Sequence, residues 1–229
     1  MATVENHLIE LLPRKDRERL LAICEPVQLV LAEVLCERGE PTRHVYFPTE
    51  GFISLVTRID THPGLEVGMV GSEGMLGAQL ALGVVIAPLR ALVQGPGAAW
   101  RIGAGPFRRE LARSAALQRS LDRYVYVLMA QLAASAACLR VHLIGPRLAR
   151  WLLMSQDRAH ADSFRVTHEF LAYMLGVGRV GITTAASALQ RSGLIEYRRG
   201  DLTVLNRSGL ESAACSCSAA DRQSYAALL

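Results

Sequence analysis

Cysteine is scarce in this sequence of 229 residues, which holds five, at positions 24, 36, 138, 215 and 217, with no Cys-x-x-Cys pair. An odd, scattered set predicts reduced thiols rather than a disulfide framework or a zinc knuckle. Cys215 and Cys217 form the one close pair, but thiols one residue apart point to different sides, and no third or fourth ligand stands near them in the sequence. We therefore expect no metal and no cofactor, and the sequence leaves a redox role for these two cysteines open.

Long uncharged apolar segments are also missing, since no stretch approaches the roughly 20 residues that a membrane-spanning helix needs. The first residues, MATVENHLIELLPRKDRERL, carry charged groups where a secretory signal would need an apolar core. Half of the residues are hydrophobic and 20% are charged, which is typical of a globular protein. These features predict a cytoplasmic protein without a membrane partner.

Charge of one sign is not in large excess, because the formal net charge is +4. Its distribution is uneven: residues 147–229 hold 10 Arg against 7 Asp and Glu, whereas residues 1–146 hold 15 basic against 14 acidic residues. A nucleic-acid footprint requires basic residues to cluster on one element. The length favours two domains, so the position of such a cluster matters for the function of each.

The first half of the chain is rich in β-type runs. Residues 5–24 predict short helices, and between Pro26 and about Ile102 the runs VQLVLAEVL, HVYFP, GFISLVTRI, LEVGMVG, RALVQG and AAWRI alternate with Gly and Pro. Several strands of this length at near-regular spacing predict an antiparallel sandwich or barrel. After Gly105-Pro106 the pattern becomes helical.

Residues 116–145 predict one long helix with an apolar seam at spacings of four and three, as in a coiled coil. The seam consists of Leu121, Val125, Leu128, Leu132, Ser135, Leu139 and His142. Two interpretations stand: a core helix that lies on its own β-domain, or a twofold dimer interface that also leans on that domain. We favour the interface, in which His142 is a hydrogen-bonded residue with a pH role open to it.

The stretch RVTHEFLAYMLGVGRVGITTAASALQRSGLIEYRRGDLTVLN, residues 165–206, predicts two helices around the hinge 176–178, followed by a short hairpin. Thr167 is a candidate N-cap for the first helix, and Gly193 is a stop for the second. The apolar face of the second helix leaves polar and basic side chains outward. Residues 178–199 hold four Arg against one Glu, which satisfies the clustering requirement.

The order of these parts resembles the Crp/Fnr superfamily of bacterial transcription regulators, and the resemblance extends from about Leu8 to Leu210. Its most specific piece is THEFLAYMLGVGRVGITTAASALQRSGLI. The matching positions are Thr167, Glu169, Leu171, Ala172, Leu175, Gly176, Arg179, Leu189, Gly193, Leu194 and Ile195.

The resemblance implies an α+β fold made of an N-terminal antiparallel β-roll or jelly roll, a long dimerisation helix and a C-terminal winged helix-turn-helix. The implied divisions are 1–115 for a cyclic-nucleotide-binding-like sensor domain, 116–145 for the helix and 146–229 for the DNA-binding domain. Double-stranded DNA and a second copy of the chain are the implied partners, with RNA polymerase as a further candidate.

Candidate DNA-binding residues follow from the helix-turn-helix pattern and the wing. They are Thr167, His168, Gly178, Arg179, Val180, Thr183, Thr184, Arg191, Arg198 and Arg199. Many members of the family have Ser-Arg-Glu at the start of the second helix and an Arg one turn later, where this chain has Gly178-Arg179-Val180 and Thr184. Arg179 suits guanine O6 and N7 or a phosphate, but Val180 cannot accept from cytosine. The family's usual target sequence is therefore not transferred.

The β-domain departs further from the cyclic-nucleotide pattern. Family members that bind such ligands have Gly-Glu and a later Arg-Ser/Thr-Ala, whereas here Gly71, Glu73 and Gly74 are followed by Arg90-Ala91-Leu92. Gly71, Glu73, Gly74 and Arg90 remain the candidate effector residues, with turn capping as the alternative role for Glu73. Without the matching cation a cyclic nucleotide is disfavoured, and a hydrophobic, redox or protein signal, or none, fits better.

Two other function classes compete with a DNA-binding regulator. One is a member of the family that has lost DNA reading and works as a protein-interaction module. The other is a cupin-type metalloenzyme, which would need paired His and a carboxylate on neighbouring strands, whereas His44 and His62 stand far apart without an His-x-His spacing. We expect no catalytic residues and no enzymatic activity.

Overall fold

The computed structural model describes residues 6–59 and 62–228. Two short helices come first, α1 (His7–Glu10) and α2 (Arg14–Leu21). Seven strands follow: β1 (Glu25–Leu29), β2 (Val34–Cys36), β3 (His44–Pro48), β4 (Phe52–Ile59), β5 (His62–Val70), β6 (Arg90–Gly95) and β7 (Gly97–Gly103), with a 3₁₀ turn at Ala78–Leu82. They form two antiparallel sheets in the orders β1-β7-β3 and β2-β6-β4-β5. The predicted antiparallel β-roll is confirmed.

One predicted strand, VQLVLAEVL, is two strands in the structure. The chain turns at Ala32, whose φ of 66° lies in the left-handed region. The Ala32 N–H donates to the Val93 carbonyl at 2.9 Å, and the Glu33 N–H donates to the Val30 carbonyl at 3.0 Å. Apolar side chains continue through the turn, so the hydrophobic pattern alone did not reveal it.

Three helices connect the roll to the carboxy-terminal part: α3 (Ala104–Leu111), α4 (Ala115–Val141) and α5 (Ile144–Ala159). Ser114 caps α4 by accepting from the Leu117 N–H at 3.0 Å. At the other end His142 has an extended backbone, and only His142 and Leu143 separate α4 from α5. The long helix was predicted, whereas its separation from α5 was not.

The carboxy-terminal elements are β8 (Ser163–Arg165), α6 (His168–Leu175), α7 (Arg179–Arg191), β9 (Ile195–Arg198), β10 (Asp201–Val204), α8 (Arg207–Ala213) and α9 (Cys217–Leu228). The strands form an antiparallel sheet in the order β8-β10-β9. The helix pair α6–α7 and the hairpin β9–β10 match the predicted winged helix-turn-helix. The predicted α+β fold class is confirmed. The third strand, β8, was not predicted, because three residues are too few for an alternating pattern.

The roll and the carboxy-terminal part share one hydrophobic core, in which Phe52 and Met69 of the roll pack with Leu148 and Leu152 of α5. The indole N–H of Trp151 donates to the carboxylate of Glu66 on β5 at 2.8 Å. Polar and apolar contacts therefore both fix α5 against the roll, which positions the helix pair α6–α7 beyond it.

Candidate functional site

The helices α6 and α7 are set at their angle by local capping. The Thr167 hydroxyl accepts from the Phe170 N–H at 3.1 Å, which starts α6 as predicted. Gly176 ends α6 with a φ of 62°, a conformation that costs a side-chain-bearing residue energy and Gly nothing. Gly178 is extended again and opens α7. The predicted hinge at residues 176–178 is confirmed.

One face of α7 is buried and the other is open to solvent. The buried face consists of Ile182, Ala185, Ala186 and Leu189. Arg179, Val180, Thr183, Thr184 and Arg191 are exposed, with Val180 at 80%. The structure thus brings five of the predicted DNA-binding residues together on the exposed side of α7, where Thr183 also contacts His168 of α6. Such a face offers a guanidinium, two hydroxyls and an apolar methyl pair to a partner.

His168, one of the predicted DNA-binding residues, packs against the wing. Its ring is half-buried and stacks on Tyr197 with the centroids 4.4 Å apart. Its Nδ1 lies 3.1 Å from the Thr183 hydroxyl, which itself donates to the Arg179 carbonyl at 3.1 Å. Because that hydroxyl proton is already used, His168 carries a proton on Nδ1 and donates it to Thr183. His168 therefore orients Thr183 and ties α6, α7 and the wing together.

The protonation of His168 follows from its surroundings. Burial lowers the pKa of this imidazole below its ordinary value, and the positive charge of Arg179 lowers it further. The Nε2 atom is buried without a hydrogen-bond partner among the described residues. The ring is therefore neutral near pH 7, and α7 carries no extra charge from it.

The wing presents two arginines at its tip. Arg199 and Gly200 both have positive φ, 52° and 92°, which makes the tight two-residue turn between β9 and β10. Arg198 is exposed and pairs with Glu196 at 2.7 Å. An exposed pair of this kind contributes little to stability, so Arg198 can exchange its partner for a phosphate. Arg199 has no ion-pair partner among the described residues.

The β-roll and α4 line a cavity of about 430 Å³, which opens to solvent beside Leu82 and Met129. Its walls are mostly apolar: Leu55, Val67, Val70, Met75, Leu76, Leu82, Ala87, Leu89, Val125, Leu128, Met129 and Leu132. The polar groups that line it belong to Thr42, Thr57, Gln79 and Cys36, and none of its lining residues within 6–59 and 62–228 has a charged side chain. Such a cavity suits an apolar molecule rather than a phosphate.

None of the predicted effector residues lines this cavity. Glu73 accepts from the Gly71 N–H at 3.2 Å, which is turn capping, and is also held by Arg158 of α5 at 2.8 Å. Gly74 lies against the ring of Tyr124, where an added Cβ would come within 2.3 Å of the hydroxyl. Arg90 pairs with Glu37 at 3.3 Å. The four predicted effector residues therefore lie outside this apolar cavity, and Glu73 lines a separate cavity of about 320 Å³ with Arg158 and Tyr225. An effector site at these residues stays a prediction.

The predicted seam of α4 faces mostly inward. Leu121 and Ser135 are buried within the chain, and Ser135 accepts from Arg150 at 3.3 Å. Val125, Leu128 and Leu132 line the cavity, whereas Leu139 and His142 are half-buried. The interpretation of this seam as the interface with a partner is corrected: its spacing reflects packing on the chain's own roll, as the competing interpretation held.

A different face of α4 is exposed and apolar. Tyr126 and Met129 are each 63% exposed, and Ala133, Ala136 and Ala137 lie along the same side. By length and composition α4 could also cross a membrane, and 28% of its most apolar segment of 18 residues is buried inside the chain. The expectation that no segment approaches a membrane span is corrected to this extent. Tyr124 and Gln131 make hydrogen bonds inside the protein, as expected of a core helix.

The cysteines at the carboxy terminus are not isolated. Cys215 and Cys217 lie beside Cys138 and His142 of α4, and the four side chains place one ligand atom each within 4.8 Å of one another. The premise that no third and fourth ligand lie near Cys215 and Cys217 is thus corrected. Elsewhere in the described residues, no group of three or more His, Cys, Asp or Glu is so placed, although the side chain of His62 lies outside them.

Comparison with known proteins agrees with this architecture. Residues 146–213 match the family of Crp-like helix-turn-helix domains. The comparison with curated proteins finds no match.

Solved structures of similar fold include FixK2 from Bradyrhizobium japonicum, with a TM-score of 0.65 at 15% identity over 85% of this chain and 98% of that chain. The c-di-GMP responsive global regulator CLP from Xanthomonas campestris has a TM-score of 0.67 at 18% identity over 84% and 99%. A transcriptional regulator of the Crp/Fnr family from Thermus thermophilus has a TM-score of 0.67 at 21% identity over 83% and 98%. The chain therefore carries a Crp-like helix-turn-helix domain on the fold of the Crp/Fnr transcription regulators.

Proposed function

We propose that the protein is a homodimeric, sequence-specific DNA-binding transcription regulator of the cytoplasm, without enzymatic activity. Residues 1–115 form its sensor domain, 116–145 its dimerisation helix and 146–229 its DNA-binding domain. The observation that carries the proposal is the exposed face of α7, where Arg179, Val180, Thr183 and Thr184 share one side of a helix that the chain's core holds from behind.

The chemistry of that face supports base readout. The guanidinium of Arg179 can donate two hydrogen bonds to O6 and N7 of a guanine in the major groove. The Val180 side chain and the Thr184 methyl can contact the methyl group of thymine, and Val180 offers no acceptor to a cytosine amine. We therefore expect a half-site that contains a G and a T rather than the usual target of the family.

Contacts with the DNA backbone come from the remaining residues. Thr167, at the amino end of α6, and Gly178, at the amino end of α7, present helix N-termini, which suit phosphates. Arg191, Arg198 and Arg199 are exposed and add positive charge on the same domain. These contacts supply affinity and salt dependence without sequence preference.

Dimerisation uses the exposed side of α4 rather than the predicted seam. Tyr126, Met129, Ala133 and Ala136 repeat at spacings of three and four, the pattern of two helices that pack along each other. Small residues let the partner backbone approach, and a second copy places two α7 helices for the two halves of a DNA site. A second copy of the chain would cover this apolar face, so no bilayer is needed to shield it from water. The polar residues near both ends of α4 agree with contact between two protein chains.

The sensor domain takes an apolar effector rather than a cyclic nucleotide. The cavity beneath α4 has apolar walls, and Arg90 lies outside it in an ion pair with Glu37. Because Val125, Leu128 and Leu132 of α4 line the cavity, a bound molecule would touch the same helix that carries the dimer face. RNA polymerase remains a proposed partner on the strength of the family resemblance alone.

The test is a gel-shift titration on genomic DNA fragments at several salt concentrations. A regulator should bind a subset of fragments at physiological salt, with an affinity that falls steeply as salt rises. A variant with Arg179, Thr183 and Thr184 all changed to Ala should lose preference among fragments, whereas a control with Arg14→Ala on α2 should not. Absence of any binding would favour the protein-interaction module.

A further inference from the structure

Four potential metal ligands meet where α4 ends and α9 begins. Cys138 lies in the last turn of α4, and His142 is the extended residue that directly follows this helix. Cys215 lies in the short connection between α8 and α9, and Cys217 is the first residue of α9. Cys138 and Cys215 are buried, and the other two are half-buried. We call this group the Cys₃His cluster.

The distances within the Cys₃His cluster fit one tetrahedral ion. The Cys138 and Cys215 sulfurs are 3.5 Å apart, and the Cys217 sulfur lies 3.7 Å from His142 Nδ1. Around zinc, with bonds of about 2.3 Å to sulfur and about 2.0 Å to nitrogen, tetrahedral ligands lie about 3.8 Å (S–S) and about 3.5 Å (S–N) apart. All four atoms lie within 4.8 Å of one another, so one central ion can reach each of them. An iron–sulfur cluster would need more space between the sulfurs, because its own irons and sulfides lie between them.

The charges around the Cys₃His cluster also fit a zinc ion with thiolate ligands. Arg147 is buried, donates to the Leu175 carbonyl and has no carboxylate partner among the described residues. Arg150, next along α5, is also buried and is held by Asp221 at 2.6 Å. Both guanidinium groups interact electrostatically with Cys138 and Cys215. Zn²⁺ with three thiolates and a neutral imidazole carries a charge of −1, which would compensate the otherwise uncompensated charge of Arg147.

We propose that Cys138, His142, Cys215 and Cys217 bind a structural zinc ion. All four positions are filled by protein ligands, which is typical of a structural rather than a catalytic site. Cys138 and His142 precede the connection between α4 and α5, whereas Cys215 and Cys217 follow the helix-turn-helix domain. The ion therefore fastens the far end of the DNA-binding domain to the long helix. This proposal does not rest on the proposed function, because zinc can be measured without DNA.

The experiment is metal analysis of the full chain, purified without chelator or a metal-affinity tag. We expect one zinc per chain, retained through gel filtration. Cys215→Ser and Cys217→Ser should each lose most of it, whereas Cys24→Ser, which changes a cysteine outside the cluster, should keep it. His142→Ala should lose zinc and His142→Cys should retain it, since Cys₄ sites also bind zinc. The rescue separates ligand loss from misfolding.

Two further measurements identify the ligand set. Replacement of zinc by cobalt should produce the intense visible absorption of a tetrahedral thiolate site, and Cys24→Ser should show the same spectrum. Removal of the ion should expose three additional thiols to a thiol reagent and lower the midpoint of thermal unfolding by several degrees. A metal-free chain with all five thiols reactive, a Cys138–Cys215 disulfide detected by mass spectrometry, or stoichiometric iron in place of zinc would each overturn the proposal.

Discussion

Arg158 on α5 directs its guanidinium onto Glu73 of the β-roll, with Nε 2.9 Å and Nη2 2.8 Å from one carboxylate oxygen. The Arg158 side chain is 8% exposed and that of Glu73 24%, so the pair is largely shielded from water. It joins the β-roll to α5, the first helix of the part that matches Crp-like helix-turn-helix domains.

Removal of one partner of this pair should destabilise the protein strongly. Arg158→Met leaves the Glu73 carboxylate without its cation and should lower the free energy of unfolding by about 3 kcal/mol. The double variant Arg158→Met with Glu73→Gln should recover part of the loss. Urea unfolding of the two single variants and the double variant measures the coupling. The exposed pair Arg14–Glu18 serves as the control, where Arg14→Met should leave the free energy of unfolding nearly unchanged.

Glu66 should make stability depend on pH. Burial raises the pKa of this carboxyl from its ordinary 4.5 to about 7, despite hydrogen bonds from Ser54 and Trp151. Between these values the folded chain holds a proton that the unfolded chain has lost, so stability should fall as pH rises from about 4.5 to about 7, by up to about 3 kcal/mol. Glu66→Gln should remove this slope. A slope of the same size in that variant would assign the dependence to other groups.

The dimer face can be tested against the inward seam. Met129→Glu with Ala133→Glu places like charges against their own copies and should give folded monomers in analytical ultracentrifugation. Leu128→Asp instead buries a charge beside the cavity and should lower the unfolding midpoint. An unchanged dimer for the first variant would move the interface elsewhere. Binding of the wild-type chain to lipid vesicles without dimerisation would assign the face to a bilayer.

The cavity should discriminate between ligand classes. Calorimetry should detect no binding of cyclic AMP or cyclic GMP up to about 1 mM, where even a site of about −4 kcal/mol would be seen. A straight-chain fatty alcohol should bind, and Ala87→Leu, which fills the cavity, should weaken that binding. Ala133→Leu on the exposed side of α4 is the matched control and should leave it unchanged. Micromolar binding of a cyclic nucleotide would contradict the apolar effector.

The sequence predicted the fold because its local signals agree with the packing. Thr167, Gly176 and Gly178 each act within a few residues, so the caps and hinge of the helix pair were visible in the sequence. The turn at Ala32 was not, since an alanine with positive φ has no distinctive pattern.

The face of α4 that packs against the roll could not be predicted from the spacing of its apolar residues alone. The helix carries two apolar stripes, an inward one with Leu128 and Leu132 and an outward one with Tyr126 and Met129. Only the position of the roll decides which of the two stripes is buried. The Cys₃His cluster depends on contacts between residues that lie far apart in the sequence, since 77 residues separate Cys138 from Cys215. The spacing of Cys138 and His142, four residues apart at the end of the predicted helix, was the signal that could have been weighed beside Cys215 and Cys217.

Binding-site selection with the wild-type chain and two variants tests the central claim, that α7 reads DNA, most directly. The wild type should select a pseudo-palindrome with half-site centres about 10 bp apart. Arg179→Ala should cost roughly 1 to 3 kcal/mol and relax preference at one symmetric base pair, whereas Arg199→Ala should weaken all sequences alike and reduce the salt slope by about one. Thr184→Arg should shift the preferred base and retain binding. If Arg179→Ala leaves both affinity and base preference unchanged, α7 only packs against the core of the domain. The account of this protein as a DNA-reading regulator is then contradicted.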